Sequence, residues 1–138
     1  MRTHATMWMP CAVLAAALAP RVEPLPARLV PVPLHRNRLR RRGYNQAVEL
    51  ARPLGRALGL PVAPRLCRRQ RPTPAQAELT GSDRRRNVRG AFAVAAPVPR
   101  HVAIVDDVVT TGSTVGELAR VLRRAGAERV EVWAVARA

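Results

Sequence analysis

Residues 101–135 read HVAIVDDVVTTGSTVGELARVLRRAGAERVEVWAV. The apolar run from His101 to Val105 has the length and β-branched content of a buried strand. Val115, Leu118, Ala119 and Leu122 then recur at i, i+3, i+4 and i+7, which is one face of a helix. Gly126, following Arg123 and Arg124, is a stop signal. Arg129 to Val135 reads as the next strand. Strand, helix and strand in that order form a βαβ unit, whose strands lie parallel with a right-handed crossover. The fold class is α/β.

The turn after the first of these strands carries the chemistry. Asp106 and Asp107 stand side by side, and Thr110-Thr-Gly-Ser-Thr114 follows. Ligands of an open α/β sheet bind beyond the carboxyl ends of its strands, where this turn lies. Gly112 lets the backbone curl, so that successive N–H groups point inward at an anion, and the helix N-terminus adds partial positive charge. Three Thr and one Ser add donors, making a cradle for one phosphate group. It is not a Walker A loop, since no Lys follows the glycine, nor a dinucleotide fingerprint, which needs three spaced glycines. Two carboxylates repel a phosphate but suit polyol hydroxyls and a Mg²⁺ ion beside it. A sugar phosphate satisfies both halves.

Working outward, Leu29 to Leu34 (LVPVPL) reads as a short strand whose prolines suit an edge or a strand end. A basic loop is expected from Arg36 to Arg42, then Gly43. Asn45 is a plausible N-cap for a helix with its stripe on Ala47, Leu50, Ala51, Leu54 and Leu58, kinked at Pro53 and stopped at Gly59. Val62 to Cys67 is expected as a strand. Arg68 to Gly90 shows no sustained periodicity and reads as a long functional loop, closed by a short strand at Ala91 to Val94.

The chain has 138 residues, enough for one domain, with 48% hydrophobic and 24% charged residues, as in a folded globular protein. The net charge of +15 stands out, and all 24 basic residues are Arg. Such an excess predicts attraction to phosphates, in nucleotides or in nucleic acid, although a GC-rich genome enriches Arg as well. Cys11 and Cys67 are too few for a zinc knuckle or a disulfide framework, so a cytoplasmic setting is expected. Arg2, the apolar stretch from Met7 to Leu18 and Ala17-Leu18-Ala19 imitate a secretory signal, but Pro10 interrupts them. The same residues suit a short helix, and no membrane span is expected, since that needs ~20 apolar residues.

The stretch Val105-Asp-Asp-Val-Val-Thr-Thr-Gly-Ser-Thr114 resembles the phosphoribosyl pyrophosphate (PRPP) motif of type I phosphoribosyltransferases. The resemblance implies an open parallel sheet flanked by helices, with a long flexible loop. It implies that Asp106 and Asp107 hold the ribose hydroxyls, and that Thr110, Thr111, Gly112, Ser113 and Thr114 hold the 5-phosphate. Mg²⁺ would arrive with PRPP, near Asp106 and Asp107, with no direct protein metal site. The loop after the first strand lies where such enzymes bind pyrophosphate, making His35, Arg36 and Arg38 candidates. Arg69, Arg71, Gln76, Arg84 and Asn87 are candidates on the flexible loop that closes over PRPP. Purine enzymes carry an acid where this chain has Thr110, so the pattern is nearer to orotate or amidophosphoribosyl types. Of the three histidines only His35 is placed as an acid or base, and His101 reads as structural.

VPVPLHRNRLRRRGYNQAVELA, RRQRPTPAQAEL and RRRNVRGAF, in that order, are similar to the ComF family of phosphoribosyltransferase-like proteins, linked to competence and DNA utilisation. The likeness covers residues ~29–136 and divides the chain into an N-terminal helix and connector, 1–28, and a phosphoribosyltransferase-like domain, 29–138. ComF proteins commonly begin with a four-Cys zinc ribbon, which this sequence lacks. A homodimer or a partner in the competence machinery is compatible with the resemblance.

Three functions stay open on the sequence. One is transfer of phosphoribosyl to an acceptor with release of pyrophosphate. Another is PRPP sensing without turnover. The third is a non-enzymatic DNA-uptake factor that reuses the fold and binds nucleic acid through its Arg clusters. Only 3% of residues are aromatic, so base-stacking platforms are scarce, and PRPP is favoured as the ligand.

Overall fold

The computed structural model of the chain describes residues 24–72, 81–109 and 111–137. Its elements run β1 (Arg28–Pro31), α1 (Arg36–Arg42), α2 (Gln46–Leu58), β2 (Cys67–Arg69), α3 (Gly81–Val88), β3 (Phe92–Val94), β4 (His101–Val109), α4 (Ser113–Arg124) and β5 (Arg129–Arg137). A three-stranded sheet has the order β1-β4-β5 and is parallel throughout, with Val30 beside Ile104 and Ile104 beside Val132. A separate antiparallel pair joins β2 to β3, with Arg69 opposite Phe92. The α/β class and the βαβ unit β4-α4-β5 are therefore as expected.

Central β4 is apolar on both faces because both faces are covered. Val102 to Val105 are fully buried. Val102 and Ile104 pack with Val115, Leu118 and Leu122 of α4 and with Phe92 of β3. Ala103 and Val105 pack on the opposite side, with Leu50 and Leu54 of α2 and with Trp133. Burying each of these Leu side chains contributes about 1.5–3 kcal/mol. Gly55 of α2 is needed at this contact, since a Cβ there would come within 2.6 Å of the Leu60 carbonyl oxygen.

Helix α2 follows its sequence signals closely. The Asn45 side chain accepts the Ala47 amide at 2.9 Å, Pro53 lies within the helix, and Gly59 closes it at φ 69°.

Four expectations are corrected. Arg36–Arg42 is a helix, closed by Gly43 at φ 78° and started by His35, whose Nδ1 accepts the Asn37 amide at 3.3 Å. All its side chains are exposed, so no apolar stripe announced it. Val62 makes only an isolated bridge to Leu29, and the strand begins at Cys67. The segment 68–90 contains the end of β2 and the polar helix α3 besides irregular chain. Strand β4 runs on to Val109, so the acid pair lies in the strand and not in the turn after it. Parallel pairing of Asp106 with Ala134 and Val108 with Ala136 holds it there.

Candidate functional site

The acid pair stands at the carboxyl end of β4. The Asp107 amide donates to Asp106 Oδ1 at 2.9 Å, and the Val108 amide donates to Asp107 Oδ1 at 2.8 Å. Burial pushes the Asp106 carboxyl up to about 7, helped by a side-chain hydrogen bond with Asp107 and by the Asp107 charge, while the bond from the Asp107 amide opposes them. Near neutral pH Asp106 is thus about half protonated, and a cation or a donor-rich ligand can displace that proton.

The loop beyond it opens α4. Gly112 takes the left-handed conformation at φ 80°, as its place in the cradle requires, and no side chain caps the helix. Thr111 Oγ1 and Ser113 Oγ lie 2.8 Å apart. Asp106, Thr111, Gly112, Ser113 and Thr114 line one cavity of about 190 Å³. The structure therefore brings Asp106 and the loop residues Thr111 to Thr114 to one cavity, which Asp107 does not line. Thr110 lies outside the described residues.

A second cavity, about 290 Å³, is lined by His35, Asn37, Arg38, Arg41, Arg42 and Arg69. His35 and Arg38 are there as expected, while Arg36 is exposed on α1 and does not line it. Arg41 and Arg42 were not singled out in the sequence. Their spacing from Arg38 on a helix would have found them had α1 been recognised.

Arg69 lines the second cavity and interacts electrostatically with Asp106 of the first. It belongs to β2, and its guanidinium carbon lies 5.1 Å from the centroid of the Phe92 ring. Its Nε is buried with no hydrogen-bond partner. Burial lowers its pKa, the charges of Arg38 and Arg71 lower it further, and Asp106 opposes them. It thus stands within electrostatic reach of both the cationic cavity and the acid pair.

The other flexible-loop candidates diverge. Arg71 donates to the carbonyls of Asn87 at 2.8 Å and Arg89 at 2.6 Å, so its guanidinium is occupied at the end of α3. Asn87 sits in α3, held there through that carbonyl. Gln76 and the Arg84 side chain lie outside the described residues. His101 is at the far end of β4, with Nε2 3.4 Å from Glu131 Oε2, in keeping with a structural role. Cys67 is buried, which pushes its thiol up to about 11 and leaves it protonated and unreactive.

A third cavity, about 320 Å³, flanks the phosphate loop between Arg85 and Arg89 of the α3 region and Glu117 of α4. Glu117 Oε1 accepts the Gly90 amide at 3.1 Å, and its Oε2 accepts Arg120 Nε at 3.0 Å. These partners hold its carboxyl below the usual range, the Arg120 bond most strongly. The pairing of Glu117 with Arg120 is visible in the sequence as an i, i+3 spacing, whereas its bond to Gly90 is not. Among the described residues no cluster of three or more His, Cys, Asp and Glu could hold a metal ion, and no helix is long and apolar enough to cross a membrane.

No family model matches the sequence. Competence protein F of Haemophilus influenzae is 44% identical over 118 residues, covering 83% of this chain and 52% of that protein. Over that stretch the chain is a homologue of competence protein F. DNA utilization protein YhgH of Escherichia coli K12 is 47% identical over 114 residues, covering 82% of this chain and 50% of that protein. The ComF-like chain spans about half the length of these curated relatives. Purine phosphoribosyltransferase from Pyrococcus horikoshii superposes with a TM-score of 0.61 at 18% identity, covering 98% of this chain and 75% of that one. Adenine phosphoribosyltransferase from Saccharomyces cerevisiae gives 0.62 at 17% identity, covering 99% and 71%. At such identities the likeness establishes the fold, and the ComF-like domain has that of a type I phosphoribosyltransferase.

Proposed function

We propose that this ComF-type domain binds PRPP and transfers its phosphoribosyl group to an acceptor, releasing pyrophosphate. The observation that carries the reading is the shared cavity of Asp106 and the Thr111–Thr114 loop, with the charge of Arg69, in the arginine-lined cavity, acting on Asp106. Ribose hydroxyls would lie on Asp106 and Asp107, the 5-phosphate on Thr110 to Thr114, and the diphosphate among His35, Arg38 and Arg69.

Breaking the bond from the sugar to the diphosphate leaves positive charge on the ribosyl group and negative charge on the leaving group. The acid pair lies on the side of the cation, and the guanidiniums on the side of the leaving anion. Held there, the sugar is oriented for attack by an acceptor without a further protein nucleophile. The carboxylate oxygens are hard donors suited to Mg²⁺, which bound to the diphosphate would supply further countercharge. A cytoplasmic setting belongs to the same reading.

Calorimetry with PRPP and Mg²⁺ tests the binding. Asp106→Asn with Asp107→Asn should abolish it, and no binding by the intact protein overturns the reading. Pyrophosphate release with candidate acceptors separates transfer from sensing.

The relatives' names support a second reading, a factor in DNA uptake or use, and the exposed arginines of α1 agree with it. Titration of single- and double-stranded DNA across salt tests that reading. Affinity that vanishes at physiological ionic strength would dismiss it.

A further inference from the structure

We propose that the arginine-lined cavity beside α1 is a site for a linear oligophosphate, a chain of three or more directly linked phosphates. The proposal deepens the reading of this cavity as the diphosphate site and rests on it for the place where the chain begins.

Charge is the first argument. Arg38, Arg41, Arg42 and Arg69 converge on about 290 Å³, and no carboxylate is among the described lining residues. A diphosphate carrying Mg²⁺ brings much less negative charge than four guanidiniums bring positive. Arg38 and Arg69, the second of which interacts electrostatically with Asp106, already suffice for it. Arg41 and Arg42, in the last turn of α1, are left for phosphates further along the chain.

The cluster is also unfavourable on its own. Arg38 and Arg71 both act on Arg69 as like charges, and Arg69 Nε is buried without a partner. An anion in the cavity would relieve the repulsion and supply a counterion to the cluster.

Geometry selects the kind of anion. The four cations line a single cavity of about 290 Å³, a volume that suits a short run of directly linked phosphates. Phe92 is only 4% exposed and its ring faces the Arg69 guanidinium, so it offers no open surface for a base to stack on. Closely spaced phosphates fit this arrangement better than phosphates separated by sugars.

The test is calorimetry on the full chain at physiological salt, with sodium pyrophosphate, sodium tripolyphosphate and oligothymidylate as probes. Tripolyphosphate should bind at least about tenfold more tightly than pyrophosphate. Arg41→Ala with Arg42→Ala should bring that ratio close to one. Both residues are exposed, and an unchanged melting temperature confirms that the variant folds. Equal affinities in the intact protein, or a ratio that survives the double substitution, would overturn the proposal. Oligothymidylate binding more tightly than tripolyphosphate, and with the same dependence on Arg41 and Arg42, would overturn it in favour of nucleic acid. The PRPP reading fails separately: the intact protein would then ignore PRPP while still preferring tripolyphosphate.

Discussion

The Glu117 carboxylate accepts the Gly90 amide at 3.1 Å, and this bond fastens the helix of the phosphate loop to the chain leaving α3. Glu117 follows Ser113 by one helical turn, so the position of α3 is tied to the cradle itself. Glu117→Ala should lower stability by about 1–2 kcal/mol, the effect of leaving a donor unpaired, and should speed amide exchange across residues 81–90. Glu117→Gln keeps an acceptor and should recover most of the protection, as measured by hydrogen exchange.

The raised Asp106 carboxyl makes stability depend on pH. Asp106 titrates near 7 in the folded chain and near 3.8 when unfolded. Between those values the folded state holds a proton that the unfolded state has released, so stability falls as pH rises through that window. Asp106→Asn removes the effect. The variant should exceed the parent in stability at pH ~8 by on the order of 1–3 kcal/mol, and the difference should vanish near pH ~4. Urea denaturation at the two pH values checks this, and an equal difference at both would refute it.

Gly55→Ala is expected to destabilise by about 1–3 kcal/mol, despite the better helix propensity of alanine. The new methyl would meet the Leu60 carbonyl oxygen at 2.6 Å and Val62 Cγ2 at 2.9 Å, and the backbone atom cannot swing aside. Thermal melting reads the loss directly. PRPP affinity below the transition should hold, because Gly55 lies on the face of the sheet packed by α2.

Arg69 and Arg71 should separate cleanly on substitution. Arg71→Ala removes two bonds to carbonyls at the end of α3 and should lower stability by about 1–2 kcal/mol with PRPP affinity changed less than about threefold. Arg69→Ala should weaken PRPP by at least about tenfold, since it removes the cation next to both the acid pair and the basic cavity. A matched loss of affinity in both variants would contradict this division.

Periodicity made the apolar elements legible. Leu118 and Leu122 announced α4, Leu50 and Leu54 announced α2, and the glycines after them marked where they stop. Helices α1 and α3 were hidden because each has a single large apolar side chain, Leu39 and Val88, so that no spacing of apolar residues distinguishes them from loop. The acid pair and hydroxyl loop could be read because their residue types are unusual together. Which arginine does what could not, since Arg68, Arg69 and Arg71 are chemically alike. Strand alternation decides it in the fold, leaving Arg68 exposed and turning Arg69 inward over Phe92.

Because Asp106 and Asp107 continue the same strand whose residues 102–105 are fully buried, they cannot shift without tearing the centre of the sheet. The acids are thus the fixed reference frame of the molecule. The cations are carried outside that sheet, by an exposed helix and by a separate two-stranded ribbon whose Cys67 and Phe92 are packed into the same core.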